Sequence, residues 1–491
     1  MRKIYTGSLI FIVFILLGTA LKAQNPLSLY YLENVPQTVS INPAMVPRAK
    51  SFFGIPGIGS VYMGINTDMF GPDMIQEYNG GYVTLTHAGY DYNKFYDRIG
   101  NAANFSAYET VAPIVIGFSG KKGYFTFSWT EKFTESMAIP KDFFSILDKG
   151  LPNGSHLDLS PFAVNAQWYR ELSFGYSYNF MSMLRVGIHA KVLQGLAAVK
   201  TDFNKFDLNT GLKKWDLDMD GTVYMSAPIE VYTDENGIPD SIVTPETDMK
   251  TLIDKGVLNF SNPGFAVDLG AVYEYNNVWT FSASVNDLGF INWNGDLNSF
   301  SVNGQYSFTG LKFDKTNIDS VGKAVDDLID TVKQSINLSH GNKGFSTGLG
   351  PKIYIGAKYN VNHYFSVGAL SRTVFAKNNF RQEFNVSANI NLYHVLTTTI
   401  NYTLAINGAN TIGFGLALRG GPIQFYIAMD YLPYSAYKNV KIESSDANGD
   451  PVTVPFVPTK LDNFNMMFGL NLIFGANGFR DEPMIDAYSE F

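Results

Sequence analysis

Three carboxylates at alternate positions, Asp216, Asp218 and Asp220, stand directly ahead of Gly221. An Asp-x-Asp-x-Asp-Gly string is the first half of a calcium loop, in which hard oxygen ligands converge on one cation and the glycine permits a sharp turn. The twelfth position of such a loop calls for a bidentate glutamate and is Ala227 here, so an EF-hand is excluded. Two readings remain open: a looser structural calcium site in an external loop, able to recruit Glu230, or acidic turns shaped by Asp, Asn and Gly. Asp234-Glu235-Asn236-Gly237 and Asp446-Ala447-Asn448-Gly449-Asp450 repeat the theme. A second group is the strip Arg185, His189 and Lys191, with Asp268 and Glu274 as opposing carboxylates. Such a strip either steers an anionic head group or forms a mutually paired polar lining.

Catalytic chemistry has little to stand on. The histidines His87, His156, His189, His340, His363 and His394 are scattered, and neither a Gly-x-Ser-x-Gly elbow nor a His-Glu-x-x-His helix is present. The chain has no cysteine, which removes disulfides, thiolate metal sites and a lipid-modified N-terminal cysteine. No enzyme is expected, and no cofactor beyond that possible calcium ion. A net charge of −8 argues against nucleic acid as a partner.

The elements that would position the charged strip are strands. In 184–192, Leu184, Val186, Ile188, Ala190 and Val192 form one face, and Arg185, Gly187, His189 and Lys191 the other. The same period of two sets Phe265, Val267, Leu269, Ala271, Tyr273 and Tyr275 against Ala266, Asp268, Gly270 and Glu274. It returns in Phe384, Val386, Ala388, Ile390 and Leu392 against Asn385, Ser387, Asn389 and Asn391. A soluble sandwich also alternates, but here the polar positions are mostly Ser, Thr, Asn and Gly rather than Lys and Glu. Aromatic residues reach 15% and charged residues only 16%, against about 25% charged in an ordinary globular domain. This is the composition of a wall with lipid on one side and a polar lumen on the other.

Candidate strands fall near 51–65, 110–119, 122–131, 166–180, 184–196, 264–276, 278–288, 348–359, 363–376, 382–392, 395–405, 410–419, 422–432 and 462–474. The expectation is an all-β, transmembrane antiparallel barrel of about 14 strands, within 12–16. Segments 80–86, 214–226 and 298–309 also look strand-like and read as loop hairpins. Tight connections at 120–121, 181–183, 276–277, 360–362, 393–394 and 420–421 would face the periplasm. The long ones, 66–109, 132–165, 197–263, 289–347 and 433–461, would face outward. Within 319–337, Val321, Val325, Leu328, Ile329, Val332 and Ile336 fall at helical spacing, predicting an amphipathic helix outside the barrel.

The ends complete the division. Arg2 and Lys3, the apolar run Leu9–Leu17 and a cut after Ala23 predict a signal peptide at 1–23. That leaves 24–50 as an N-terminal periplasmic segment, 51–474 as the barrel and 475–491 as a periplasmic tail. The place implied is the outer membrane of a Gram-negative bacterium, with outer-membrane lipid as a partner.

Leu29-Tyr30-Tyr31-Leu32-Glu33-Asn34-Val35-Pro36 followed by Ile41-Asn42-Pro43-Ala44 resembles the N-terminus of FadL-like outer-membrane barrels and of related barrels linked to type IX secretion and gliding. Tyr169–Tyr176 with Leu184–Lys191, and Asp268–Ala271 with Ser284–Gly289, resemble strand pairs of that superfamily. The matches run in order from Tyr30 to Phe474. The resemblance implies fourteen strands with an N-terminal hatch in the lumen, in which Asn42, Pro43 and Ala44 belong to the plug. It also implies an uptake channel for small hydrophobic molecules. The rival expectation is a non-transporting barrel serving as a scaffold in secretion, gliding or surface display, with a protein partner at its external loops.

Overall fold

The computed structural model describes residues 26–475, apart from 70–73, 79–80, 86, 234–238, 244–259, 277, 310–330, 333–334, 377–378, 393–394, 407–409, 431–436, 446–450 and 459–462. The expected signal peptide, the tail beyond Gly475, most of the 319–337 helix, and the acidic strings at 234–237 and 446–450 lie outside the described residues.

Period-two segments build a closed ring. Its first strand comes in two pieces, β1 (Ser51–Gly54) and β2 (Val61–Thr67). Next come β3 (Ala102–Ser119), β4 (Gly123–Pro140), β5 (Ala163–Met181) and β6 (Leu184–Thr210). Strand β7 (Trp215–Ser226) precedes β8 (Pro263–Tyr275) and β9 (Trp279–Trp293), and β10 (Leu297–Phe308) precedes β11 (Lys352–Asn360). The last are β12 (Phe365–Ala376), β13 (Asn379–Leu392), β14 (Leu396–Ile406), β15 (Thr411–Gly420), β16 (Ile423–Met429) and β17 (Asn463–Phe474). Leaving out β7 and β10, each strand pairs antiparallel with the next. β17 returns to β1 and β2 through Ser51↔Phe474 and Val61↔Phe468. Counting β1 and β2 as one, fourteen antiparallel strands close with no free edge.

The faces sort as the alternation requires. Val186, Ile188 and Val192 are exposed while Arg185, His189 and Lys191 are buried. Phe384, Val386 and Ile390 likewise point out, and Asn385, Ser387 and Asn389 point in. An apolar outer belt on a closed ring leaves every backbone group paired, the condition for crossing lipid with strands. Among the described residues no helix is long and apolar enough to cross a membrane. The ring is therefore an outer-membrane-type transmembrane barrel.

The two ends differ. At one end the strands are joined by turns such as Gly120–Lys122 and Gly421–Pro422, with Asn276 (φ 52°) and Gly421 (φ 59°) taking the left-handed conformation. At the other, long connections leave, and several strands run on past the bilayer: β3 and β4 have 18 residues each, β5 has 19 and β6 has 27. A tilted crossing needs only about 9–11 residues. Here the segments 214–226 and 298–309 find their place: β7 pairs with the upper part of β6, and β10 pairs with β7. So 214–226 does form a hairpin, with the upper part of β6, as 81–83 does with 76–78, whereas 298–309 adds to the projecting sheet as the neighbour of β7. Helices α2 (Asn93–Ile99) and α3 (Lys141–Lys149) join this end, packing Phe95, Tyr96 and Phe144 with Tyr90 and Tyr92.

Candidate functional site

The lumen is filled from below by the N-terminal segment. Helix α1 (Leu27–Tyr30) and a 3-10 turn at Pro36–Ser40 leave most of residues 27–44 buried. Its bonds reach strands around the whole ring, which only a segment inside the barrel can do. Asp430, at the end of β16, accepts the backbone N–H of Leu27 at 2.5 Å and of Ser28 at 2.8 Å. Asn34 donates to Asn391 and Thr397 beside the β13–β14 turn. Gln37 donates to the Gly59 carbonyl and Asn471, each at 2.8 Å. Glu33 pairs with Lys358. No residue of the segment joins the sheet.

Within this segment Asn42, Pro43 and Ala44 lie tight against β5, β6, β8 and β9. The Asn42 amide donates to the carbonyls of Ala271 and Ala283, both at 3.2 Å, and its oxygen accepts the Ala44 N–H at 2.9 Å. Proline at 43 lacks an N–H, so the turn closes on the next residue. The Pro43 carbonyl accepts from Ser177. Gly187 and Gly270 make the approach possible: a Cβ on Gly187 would lie 2.3 Å from the Pro43 carbonyl carbon, and one on Gly270 2.0 Å from the Asn42 oxygen.

Above the plug lies a charged belt. His189 meets Asp268 at 3.0 Å, and Lys191 bridges Asp268 at 2.8 Å and Asp287 at 2.6 Å. Lys352 holds the other oxygen of Asp287 at 2.6 Å, and Lys132 meets Glu171 at 2.7 Å. Further round, Glu383 takes Arg372 at 2.5 Å and Arg381 at 2.7 Å. In this arrangement Lys191, His189 and Asp268 are brought together, as the strip of charges requires. Arg185 and Glu274 sit apart from them near the turn end, where Arg185 donates to Asn179. Lys132, Lys191 and Lys352 face Glu171, Asp268 and Asp287 one for one, whereas Glu383 faces two arginines, so most of this lining is mutually paired.

Asp287 escapes a sequence reading as a lumen residue because strict alternation after Ser284 and Asn286 puts it outside. A bulge places Asn286 and Asp287 together opposite Asp268 (φ of Asp287 is 58°), and both side chains face inward. Lys132 lies one residue beyond the expected strand end at 131. Asp430 carries no pattern of its own; its role appears only when α1 docks on it.

The aspartates Asp216, Asp218 and Asp220 lie on β7, in a strand rather than a loop. Alternate strand positions share a face but stay separate, and each carboxylate has its own partners: Ser307 and Lys214 for Asp216, Lys205 and Gln305 for Asp218, Asn204 and Asn303 for Asp220. Bonds from Ser307 and Lys214 hold the Asp216 carboxyl below its ordinary range, and Lys205 does the same for Asp218. Among the described residues no three His, Asp or Glu side chains are grouped to hold a metal ion. The calcium-loop geometry is thus not what this string builds, because extended backbone fans its carboxylates out along the sheet.

A family model described as a family of unknown function, DUF5723, matches residues 43–430. The chain belongs to that family. Among solved structures, the Ralstonia pickettii toluene transporter TbuX is 9% identical, with 90% of this chain and 95% of that one covered and a TM-score of 0.40. A Pseudomonas aeruginosa FadL homologue is 10% identical, with 94% and 100% covered and a TM-score of 0.43. The Pseudomonas putida toluene transporter TodX is 8% identical, with 89% and 92% covered and a TM-score of 0.40. No curated protein matches the sequence. The barrel assignment for this DUF5723 protein rests on its own closed ring.

Proposed function

We propose that this barrel is an outer-membrane uptake channel for small hydrophobic molecules, held shut by its N-terminal plug. The observation that carries the reading is the apolar arc behind α1. Leu27, Leu29, Tyr30, Tyr31 and Leu32 pack on inward-facing Leu370, Ala417, Tyr426, Ala428, Met467 and Tyr62. Withdrawing α1 would uncover a strip of apolar wall inside the lumen along which an apolar molecule can pass. The plug is bound by side-chain hydrogen bonds and packing, both of which entering water or ligand can replace.

The experiment is deletion of residues 24–50, with uptake of a fluorescent fatty acid and of toluene measured in cells. The expected result is a changed rate for at least one apolar solute with the barrel still folded; an unchanged rate for both removes the gating role. A second reading, a scaffold for a surface partner, is favoured by the sheet that β6, β7 and β10 project past the bilayer. Native mass spectrometry of the protein taken from its own membrane separates the two. A bound amphiphile without a protein supports uptake, and a stoichiometric protein partner supports the scaffold.

A further inference from the structure

The short-turn rim of the barrel is basic in a chain whose net charge is −8. Lys121 and Lys122 occupy the β3–β4 turn, and Arg48 and Lys50 lie where the plug leaves the lumen to enter β1; all four are exposed. Arg419 borders the β15–β16 turn. The carboxylates at this level are turned inward: Glu33 pairs with Lys358, and one oxygen of Glu274 is buried. Among the described residues no carboxylate pairs with Lys50, Lys121 or Lys122.

These cations meet the end of the last strand. The Lys50 carbonyl accepts the Ser119 N–H at 2.7 Å, which sets Lys50 beside the Lys121–Lys122 turn. On its other side is Gly475, whose added Cβ would lie 2.8 Å from that of Lys50. From Gly475 the chain continues through residues 476–491, which carry Asp481, Glu482, Asp486 and Glu490 against the single cation Arg480. Asp481 is six residues on, within about 20 Å at roughly 3.3 Å per residue, so the acidic stretch begins within reach of the three lysines.

We infer that residues 476–491 dock on the basic rim formed by Lys50, Lys121 and Lys122, lying across the point where the plug leaves the barrel. The contact ties the last strand to the plug exit by charge, and it adds a hold on residues 48–50 that ionic strength weakens. The occupant is this chain's own acidic segment, because it starts beside Lys50 and carries the complementary sign.

The chain has no cysteine, so a pair of labels can be placed cleanly and without touching any charge. Spin labels on Ser119→Cys and Ala487→Cys, in the full chain in lipid nanodiscs, report the separation of rim and tail. A free tail of a dozen residues would spread broadly around ~20 Å. The docked tail gives a narrow distribution that broadens in about 1 M salt, where screening shortens to roughly 3 Å. It broadens likewise when Asp481→Asn, Glu482→Gln, Asp486→Asn and Glu490→Gln are combined, changes that leave the barrel untouched. Lys50→Gln with Lys121→Gln and Lys122→Gln should match that result from the rim side. A distribution that is broad from the start overturns the docking. A narrow one indifferent to salt and to both sets of substitutions overturns its charge basis.

Discussion

A single methyl group at position 187 should open this barrel. Gly187 faces the Pro43 carbonyl so closely that any Cβ would overlap backbone atoms, which cannot rotate away as a side chain would. Because β6 is locked between β5 and β8, the plug must yield first. Gly187→Ala is expected to raise ion conductance in planar bilayers while the barrel remains folded; wild-type conductance would show that the plug tolerates the displacement. Lys191 poses the opposite problem. Its ammonium is the shared partner of Asp268 and Asp287, and removing it leaves Asp268 to His189 and Asp287 to Lys352, with no cation between the two buried carboxylates. Breaking a buried pair on one side costs about 3–5 kcal/mol. Lys191→Met should lower the denaturation midpoint accordingly, and adding Asp268→Asn should recover part of the loss, whereas a neutral single substitution would mean the belt is hydrated and weakly coupled.

At the level of elements, the acidic ladder on β7 makes the projecting sheet sensitive to acid. The folded carboxyls of Asp216 and Asp218 lie below their ordinary range. A depressed carboxyl stabilises the fold fully above its unfolded pKa and loses that contribution as the pH falls through the folded one. Limited proteolysis of 198–226 should therefore be slow at neutral pH and quicken only below the usual carboxylate range, with Asp218→Asn flattening the response. Equal cleavage at all pH values would remove the ladder's role. Chelators should leave the cleavage rate unchanged, since Lys205 and Lys214 already supply the positive charge. These same strands mark where the sequence stops being legible. Lipid on one face and a polar lumen on the other enforce the period of two, so the fourteen crossings and the inward side of Arg185, His189 and Lys191 can be read directly. Above the bilayer that constraint ends: β7 alternates only because its sheet has one polar face, and nothing in its sequence says that β6 is its neighbour. Pro56 and Gly57 mark the break between β1 and β2, inside the segment 51–65 read as one strand. A bulge conceals Asp287 for the reason that bulges always conceal residues: one extra position reverses the face of every later residue in the strand.

On the scale of the whole molecule, ring and plug are held by different kinds of interaction, and they should come apart separately. Every seam of the ring is a ladder of backbone hydrogen bonds, and opening one in lipid exposes unpaired groups at several kcal/mol each. The plug contributes no strand, and each of its bonds can be exchanged for one to water. Its release must lie far below global unfolding, as a local opening of low free energy. Hydrogen exchange in nanodiscs should show the amides of residues 26–45 exchanging well before those of β13 and β14, on a single native population. Asp430 is the point of control, because its two oxygens hold the Leu27 and Ser28 amides and hydrogen bonds to a charged group contribute about 1.5–3 kcal/mol. Asp430→Ala should speed exchange along α1 by roughly ten- to hundredfold, the factor such an energy implies, and leave β13 and β14 unchanged. If instead the plug is as protected as the strands, it is part of the wall's own cooperative unit, and a channel would need the ring itself to deform.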